Sequence, residues 1–600
     1  MTSRAALVAT CLVLALHLGF LLASIPDYRV SIDSGYHVSL SRHYAENGFH
    51  AWWDPINYGP GGRPNLQGPL QHIVVGAMGK LGGGTGDAYV AANTLLALLQ
   101  WAAAMGTLVY FARKYGGDYA ALFAAALLSG SLASISFAVG IPSGWIFIAV
   151  PWAIHFFLED RLVLSTLCAV AGIYCHLGGY VTAPVGILIA AVMTRRFRAL
   201  VIVGVSTFVL ALPYTIHFFR YRSWYRGEHG HVAVLTTPLG VLLALAGLVM
   251  LLRRPRENGF LLAWVFAPIV WLFQDYTRFL TQSMLAGAVI GGIFLARMMM
   301  RISSARRRAA FVSAAVILAT IFPLGVPALV FEIRQVAGLD YPRALDWKES
   351  KAIADILARD RLTGRLVYCY DHSFAPSIAV FAPVQVEKGH WVEVQPRNDP
   401  ANDVPAAAKV YVIPLRPDNP MLRDFAAHGW IQVHGGTAVS SVITLASRPA
   451  LAETAAIVAG SASQDAAWLS DHAVNNTMAP IPEVLFSKAG IAARRARLRE
   501  QRFRAGQIEL AMLLYAYAAE PVYPRLARGE RLEARGWASL ATFLSDESAV
   551  DFVGDDRHAR LKTHLRQWSD AVHSLGATTV PSPAVERATD KLFNDYFWAA

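Results

Sequence analysis

Long uncharged apolar runs recur from Ala5 to about Phe331 and then stop, and this one-sided distribution limits what the chain can fold into. A helix that crosses the hydrocarbon core of a bilayer needs roughly 20 apolar residues and satisfies all its backbone polar groups internally. Candidate spans begin near Ala5, Tyr89, Tyr119, Trp145, Leu162, Val181, Leu200, Leu235, Phe260, Thr281 and Ala310, about eleven at that length. The pair between Arg161 and Arg195 turns at Cys175-His176-Leu177-Gly178-Gly179-Tyr180, so these two helices are expected to be short or re-entrant. With 55% hydrophobic and only 16% charged residues in 600, the chain is too apolar for an ordinary soluble protein. Residues 1–25 resemble a signal peptide, but the many spans that follow favour a retained first helix.

The net charge of +11 does not point to nucleic acid, because the arginines concentrate in short loops between apolar runs. With the N-terminus inside, Arg113-Lys114, Arg195-Arg196-Phe197-Arg198, Arg253-Arg254-Pro255-Arg256 and Arg306-Arg307-Arg308 all fall on the cytoplasmic side. That alternation places three loops (26–86, 219–234 and 274–280) and everything beyond Phe331 on the outer side of a bacterial inner membrane. Arg220, Arg222 and Arg226 lie in an outer loop, against the bias. Three of the four cysteines lie in apolar runs and Cys369 has no soluble partner, so neither a disulfide framework nor a zinc site is implied.

Beyond the membrane part, Arg365–Tyr370, Val384–Glu387, Lys409–Leu415, Trp430–Val433 and Val439–Ala446 read as short strands, with helical stretches near Phe374 and Met421. A polytopic α-helical membrane domain over residues 1–335 is therefore expected, followed by an extracytoplasmic α/β domain over 336–449 and a mainly helical region over 450–600.

The first outer loop is unusually dense in chemistry for a connector, with Asp27, Asp33, His37, His43, Glu46, His50, Asp54 and His72. Its order is Asp33-Ser34-Gly35-Tyr36-His37, then Trp53-Asp54-Pro55-Ile56-Asn57-Tyr58-Gly59-Pro60-Gly61, then Gly68-Pro69-Leu70. These elements, over about 40 residues, resemble the catalytic subunits of oligosaccharyltransferases, members of the GT-C superfamily. The resemblance implies a GT-C-like fold in which Asp33 takes the place of the essential first-loop carboxylate, as an acceptor-activating base or a metal ligand. A carboxylate there also suits a cap for a helix starting near Gly35. His37 and Asp54 fall inside the matching elements, although Asp-Pro also commonly opens a turn.

A second cluster, Trp224-Tyr225-Arg226-Gly227-Glu228-His229-Gly230-His231, joins a carboxylate and two imidazoles to Arg220, Arg222 and Arg226, donors suited to a phosphate leaving group. Glu228 lies in a late outer loop, as the family's second acidic residue does. His229 and His231 suit either metal ligation or simple solvation. The third cluster, Gln274-Asp275-Tyr276-Thr277-Arg278-Phe279-Leu280, resembles the family's Arg-Phe element, in which the arginine contacts the lipid-linked phosphate. An arginine at that depth needs an anionic partner, which Asp275 or a headgroup would also supply. His176 reads better as a structural histidine than as part of a cavity.

Two departures limit the resemblance. The next outer loop, Gly140-Ile141-Pro142-Ser143-Gly144-Trp145, holds no carboxylate where the family has Asp-x-Glu. The soluble part lacks Trp-Trp-Asp-Tyr-Gly, its nearest counterpart being Trp468-Leu469-Ser470-Asp471-His472. The expected activity is transfer of a sugar from a polyprenyl (di)phosphate-linked donor to a lipid or glycan acceptor, rather than to protein. The cofactor stays open between none and a divalent cation, Mg or Mn, held by Asp33 and Glu228. The competing readings are a non-catalytic GT-C-like protein that binds lipid-linked sugar, and a transporter.

Overall fold

A computed structural model describes residues 3–24, 34–49, 52–129, 140–222, 238–273, 276–320, 347–369, 375–387 and 404–450, and isolated positions between 453 and 518. The chain divides into two compact units, one of residues 1–54, 64–337 and 392–394, the other of residues 55–63, 338–391 and 395–600.

The first unit is helical. It comprises α1 (Ser3–Ser24), α2 (Ser34–Glu46), α3 (Pro69–Leu81), α4 (Gly86–Ser129), α5 (Ile146–Leu158), α6 (Leu162–Cys175), α7 (Gly179–Thr194), α8 (Phe197–Arg220), α9 (Pro238–Leu252), α10 (Gly259–Phe266), α11 (Tyr276–Gln282), α12 (Met284–Met300) and α13 (Ala305–Thr320). Two of these, α4 and α8, are long and apolar enough to cross a membrane. Helix α4 is two helices in one run: Gly117 takes φ +80°, a left-handed conformation open to glycine, directly after Arg113-Lys114. The spans expected from Tyr89 and Tyr119 are thus the two arms of α4. Helices α6 and α7 have 14 and 16 residues, or about 21 and 24 Å at 1.5 Å per residue, short of a hydrocarbon core of about 30 Å. The span expected from Phe260 is broken: α10 stops at Phe266, just before Pro268, and a 3-10 turn covers Ile269–Phe273. The span expected from Thr281 is likewise preceded by the separate short α11.

The core of this unit is built on small residues that let helices approach closely. A Cβ on Gly292 of α12 would lie 2.5 Å from Ala120 O and 2.8 Å from Ala124 N of α4. Phe123, Leu122, Val289 and Ile290 fill the space beside that crossing and are buried.

The second unit carries a five-stranded mixed sheet in the order β4-β3-β5-β7-β6. Counting two short first-loop strands, β1 (Trp53–Asp54) and β2 (Arg63–Pro64), its members are β3 (Leu366–Cys369), β4 (Gln385–Val386), β5 (Lys409–Ile413), β6 (Ile431–Gly436) and β7 (Ser441–Leu445). Strands β4, β3 and β5 run parallel, and β7 and β6 are antiparallel to their neighbours, with a bulge between Val433 and Gly435. Helices α14 (Trp347–Arg359), α15 (Ala375–Phe381) and α16 (Pro420–Ala427) complete the unit. Strand β5 is buried throughout, the pattern of a central strand covered on both faces. Leu510, Leu514 and Tyr517, at helical spacing, pack on Tyr411, Ile413 and Phe425.

The edge of β4 is covered by the first loop. Val386 N–H donates to Ile56 O and Gly59 N–H to Val386 O, both at 2.8 Å. Gly59 is required there, because a Cβ would lie 2.8 Å from both Gln385 Cβ and Leu366 Cδ1.

Candidate functional site

In the first unit the first loop is tied down from both ends. Asn65 N–H donates to Trp52 O at 2.9 Å, and Asn65 Nδ2 donates to the Tyr44 hydroxyl at 2.9 Å. The Tyr214 hydroxyl of α8 donates to Leu66 O at 2.7 Å, and His217 Nε2 donates to Asn65 O at 2.9 Å while its ring lies against Trp52. His43 Nε2 donates to Trp53 O at 3.1 Å and its Nδ1 accepts from Asn47 Nδ2. The return to the membrane passes Gly68, whose missing side chain admits Tyr174 O and Cys175 at 2.5–2.6 Å from an ideal Cβ position. His176 serves the adjacent turn by accepting Gly178 N–H at its Nδ1.

Inside this strap lie two buried imidazoles in series. His72, fully buried on α3, presents Nδ1 to Gly68 O at 2.9 Å and Nε2 to His37 Nδ1 of α2 at 2.9 Å. A carbonyl oxygen only accepts, so Nδ1 of His72 carries the proton. Burial pushes the His72 imidazole down to about 4, which keeps it neutral and makes its Nε2 an acceptor. His37 Nδ1 is therefore the donor of the pair. Tyr44 stacks on His72 and Tyr36 meets His37 edge-on. His72 belongs to the dense first loop, but with 35 residues between the two rings its pairing with His37 leaves no mark on the sequence.

Of the residues singled out by sequence, His37 and Asp54 fall in this region and both are buried, Asp54 completely. Asp54 stands in β1, ahead of the turn over residues 57–60. Helix α2 begins at Ser34, next to Asp33, and Asp33 itself lies outside the described residues. Arg226, Glu228, His229 and His231 also lie outside them. Arg220 and Arg222 are exposed at the end of α8, the former over the Tyr221 ring. Arg278 is in the backbone of α11, and its side chain is outside the described set. Among the described residues no group of three or more His, Cys, Asp or Glu is arranged to hold a metal ion.

The loop that lacks Asp-x-Glu is held by amides. Gln71 Nε2 donates to Gly140 O, and Gln100 Nε2 donates to Ile141 O at 3.1 Å. The opposite oxygens, Gln71 Oε1 and Gln100 Oε1, and Asn93 Oδ1 are buried and accept no hydrogen bond among the described residues. This region is polar but uncharged.

An apolar cavity of about 240 Å³ lies between α4, α9, α10, α11 and α12. Leu127, Val241, Leu245, Phe279, Leu280 and Met284 are among its lining residues. Its one hydroxyl-bearing lining residue, Ser283, donates to Val265 O at 3.0 Å. Phe279 and Leu280 directly follow Arg278, so α11 joins a cationic position to an apolar hollow.

No protein-family model and no curated protein matches the chain. Among solved structures its fold is similar to that of ArnT from Cupriavidus metallidurans in the apo state, at 15% identity and a TM-score of 0.50, over 72% of this chain and 97% of that one. The same protein bound to undecaprenyl phosphate matches over the same shares at 15% identity and a TM-score of 0.47. The apo oligosaccharyltransferase of Archaeoglobus fulgidus matches at 14% identity and a TM-score of 0.48, over 69% of this chain and 68% of that one. At such identities the likeness is one of fold.

Proposed function

From a fold shared with ArnT, and from first-loop elements that resemble oligosaccharyltransferases, we propose that this chain is a multi-pass membrane glycosyltransferase of GT-C type. It takes a sugar from a polyprenyl phosphate or diphosphate and passes it to a lipid or glycan hydroxyl on the extracytoplasmic side. The observation that carries this reading is the apolar cavity whose lining continues directly from Arg278. An isoprenoid chain is the kind of ligand such a hollow suits, and a guanidinium beside it is matched to a phosphate oxygen pair. ArnT has been solved with undecaprenyl phosphate bound, a ligand of the same chemistry.

In this reading Arg278, with Arg220, Arg222 and Arg226, stabilises the phosphate as charge develops on it. Asp33 and Glu228 act on the acceptor side, His37 and Asp54 shape the first-loop wall, and His229 and His231 belong to the rim of the same outer loop. A divalent cation would bind on the carboxylates Asp33 and Glu228. The amide-lined loop at Gly140–Trp145 supports a second reading, in which the protein binds a lipid-linked sugar without turning it over.

The test uses purified full-length protein in nanodiscs, with undecaprenyl phosphate as the binding probe in native mass spectrometry. We expect binding by the wild type and at least about tenfold weaker binding by Arg278→Lys, because lysine lacks the planar two-point contact. Equal retention by both would remove Arg278 from the phosphate site. Turnover of undecaprenyl-phosphate-linked sugars by the wild type then separates transferase from binding protein. Recovery by manganese or magnesium of activity lost to chelator would establish a metal-dependent enzyme.

A further inference from the structure

We propose that His37 is the group that takes the acceptor's proton, and that His72 is a positioning residue that fixes which nitrogen of His37 does so. The inference rests on the transferase reading above and names where its proton goes.

The argument starts at Gly68 O, which commits Nδ1 of His72 to a proton. Nε2 of His72 is then a lone pair, held 2.9 Å from His37 Nδ1, and commits that nitrogen to a proton in turn. Proton exchange on His37 is left to Nε2. A free neutral histidine has no such constraint, whereas this chain of hydrogen bonds selects one tautomer in each ring. It also polarises His37 toward greater basicity, since each bond in series strengthens the next.

The pair is packed as fixed machinery. Tyr44 stacks on His72 with ring centres 5.8 Å apart, and Ser41 Oγ donates to His37 O at 2.6 Å. The titratable groups facing the pair are Tyr36 and Tyr44 from α2 and, through Tyr44, the buried Asp54 of β1. From α6, backbone of Tyr174 and Cys175 closes on Gly68. A buried acceptor–donor chain that only filled space would be served equally by apolar residues. Two imidazoles in series, four residues after Asp33 in sequence, are suited to moving a proton.

In the transfer, the acceptor O–H bond breaks and its proton goes to His37 Nε2. The oxygen's electron pair forms the bond to the anomeric carbon, and the bond from that carbon to the phosphate oxygen breaks with its pair staying on the phosphate. The imidazolium then returns its proton to outer water. Asp33 orients the hydroxyl and is not the final proton acceptor.

The experiment is ¹⁵N-histidine NMR on the full chain in nanodiscs, with His37→Gln and His72→Phe to assign the two rings. The wild type is expected to show two neutral Nδ1–H tautomers, and His72→Phe should release His37 to the ordinary Nε2–H form. A wild-type spectrum without two such rings overturns the proposal even if neither variant folds, and so does a His37 tautomer unchanged by His72→Phe. With undecaprenyl-phosphate-linked hexose as donor, His37→Gln should lower kcat about 100-fold with KM for donor little changed. His72→Phe should lower it about tenfold and move the acid limb of the pH profile. Full turnover by His37→Gln sinks the catalytic role while leaving the transferase reading intact. Failure of the wild type to bind undecaprenyl phosphate sinks both.

Discussion

Gly68 and Gly59 are positions where the first loop passes so close to other chain segments that a methyl group has no place. Gly68→Ala would drive a Cβ into the carbonyl region of Tyr174 and Cys175, and Gly59→Ala into Gln385 and Leu366. Each is expected to cost about 1–3 kcal/mol, read as a lower melting temperature of the purified protein. An unchanged melting temperature would mean that the strap has room to shift. Gly68→Ala should also disturb the His72 ring signals, because its carbonyl anchors that ring, whereas Gly59→Ala should not. At this scale the sequence marks the loop through its Asp-, His- and Gly-Pro-containing elements, and the fold keeps His37 and Asp54 buried as that density suggests. The partnership of His37 with His72 is invisible beforehand, because it depends on how α2 packs against α3 and not on any spacing.

Helix starts near Leu162, Val181 and Leu200 and all five strands of the mixed sheet follow from run length and from Val, Ile and Tyr content. The break after α10 is less legible, since the apolar run continues past Phe266 and only Pro268 marks the stop. One element of the second unit carries a pH consequence. Arg359 Nε donates to Asp360 Oδ1 at 2.7 Å, and His434 Nδ1 donates to Asp360 Oδ2 at 3.1 Å while its Nε2 accepts from Thr444 Oγ1 at 2.9 Å. The Arg359 guanidinium, with His434 behind it, holds the Asp360 carboxyl below the usual carboxylate range. A carboxylate lowered in the folded state adds stability above its unfolded pKa of about 3.9 and loses it as pH falls through the folded value. Asp360→Asn is therefore expected to flatten the loss of thermal stability below about pH 4. A melting curve as acid-sensitive as that of the wild type would remove this pair from the account.

For the whole molecule, the arginine distribution predicts sidedness. Cysteines introduced at positions 228 and 400 should react with a membrane-impermeant maleimide on spheroplasts, and one at 255 should not. Labelling at 255 would reverse the topology. The division into two units has a consequence in time. The nine residues from Pro55 to Arg63 belong to the second unit, yet the ribosome makes them about 330 residues before Val386, their partner at the sheet edge. At roughly 5–20 residues per second, Ile56 and Gly59 wait on the order of 15–65 seconds for that strand. Through that interval the first loop has only its anchors in the first unit, namely Tyr44, Tyr214 and His217, to hold it in shape. A nascent chain stalled before β4 therefore presents a bare edge between Pro55 and Arg63, and biogenesis of this protein depends on keeping that edge from other partners until its own arrives.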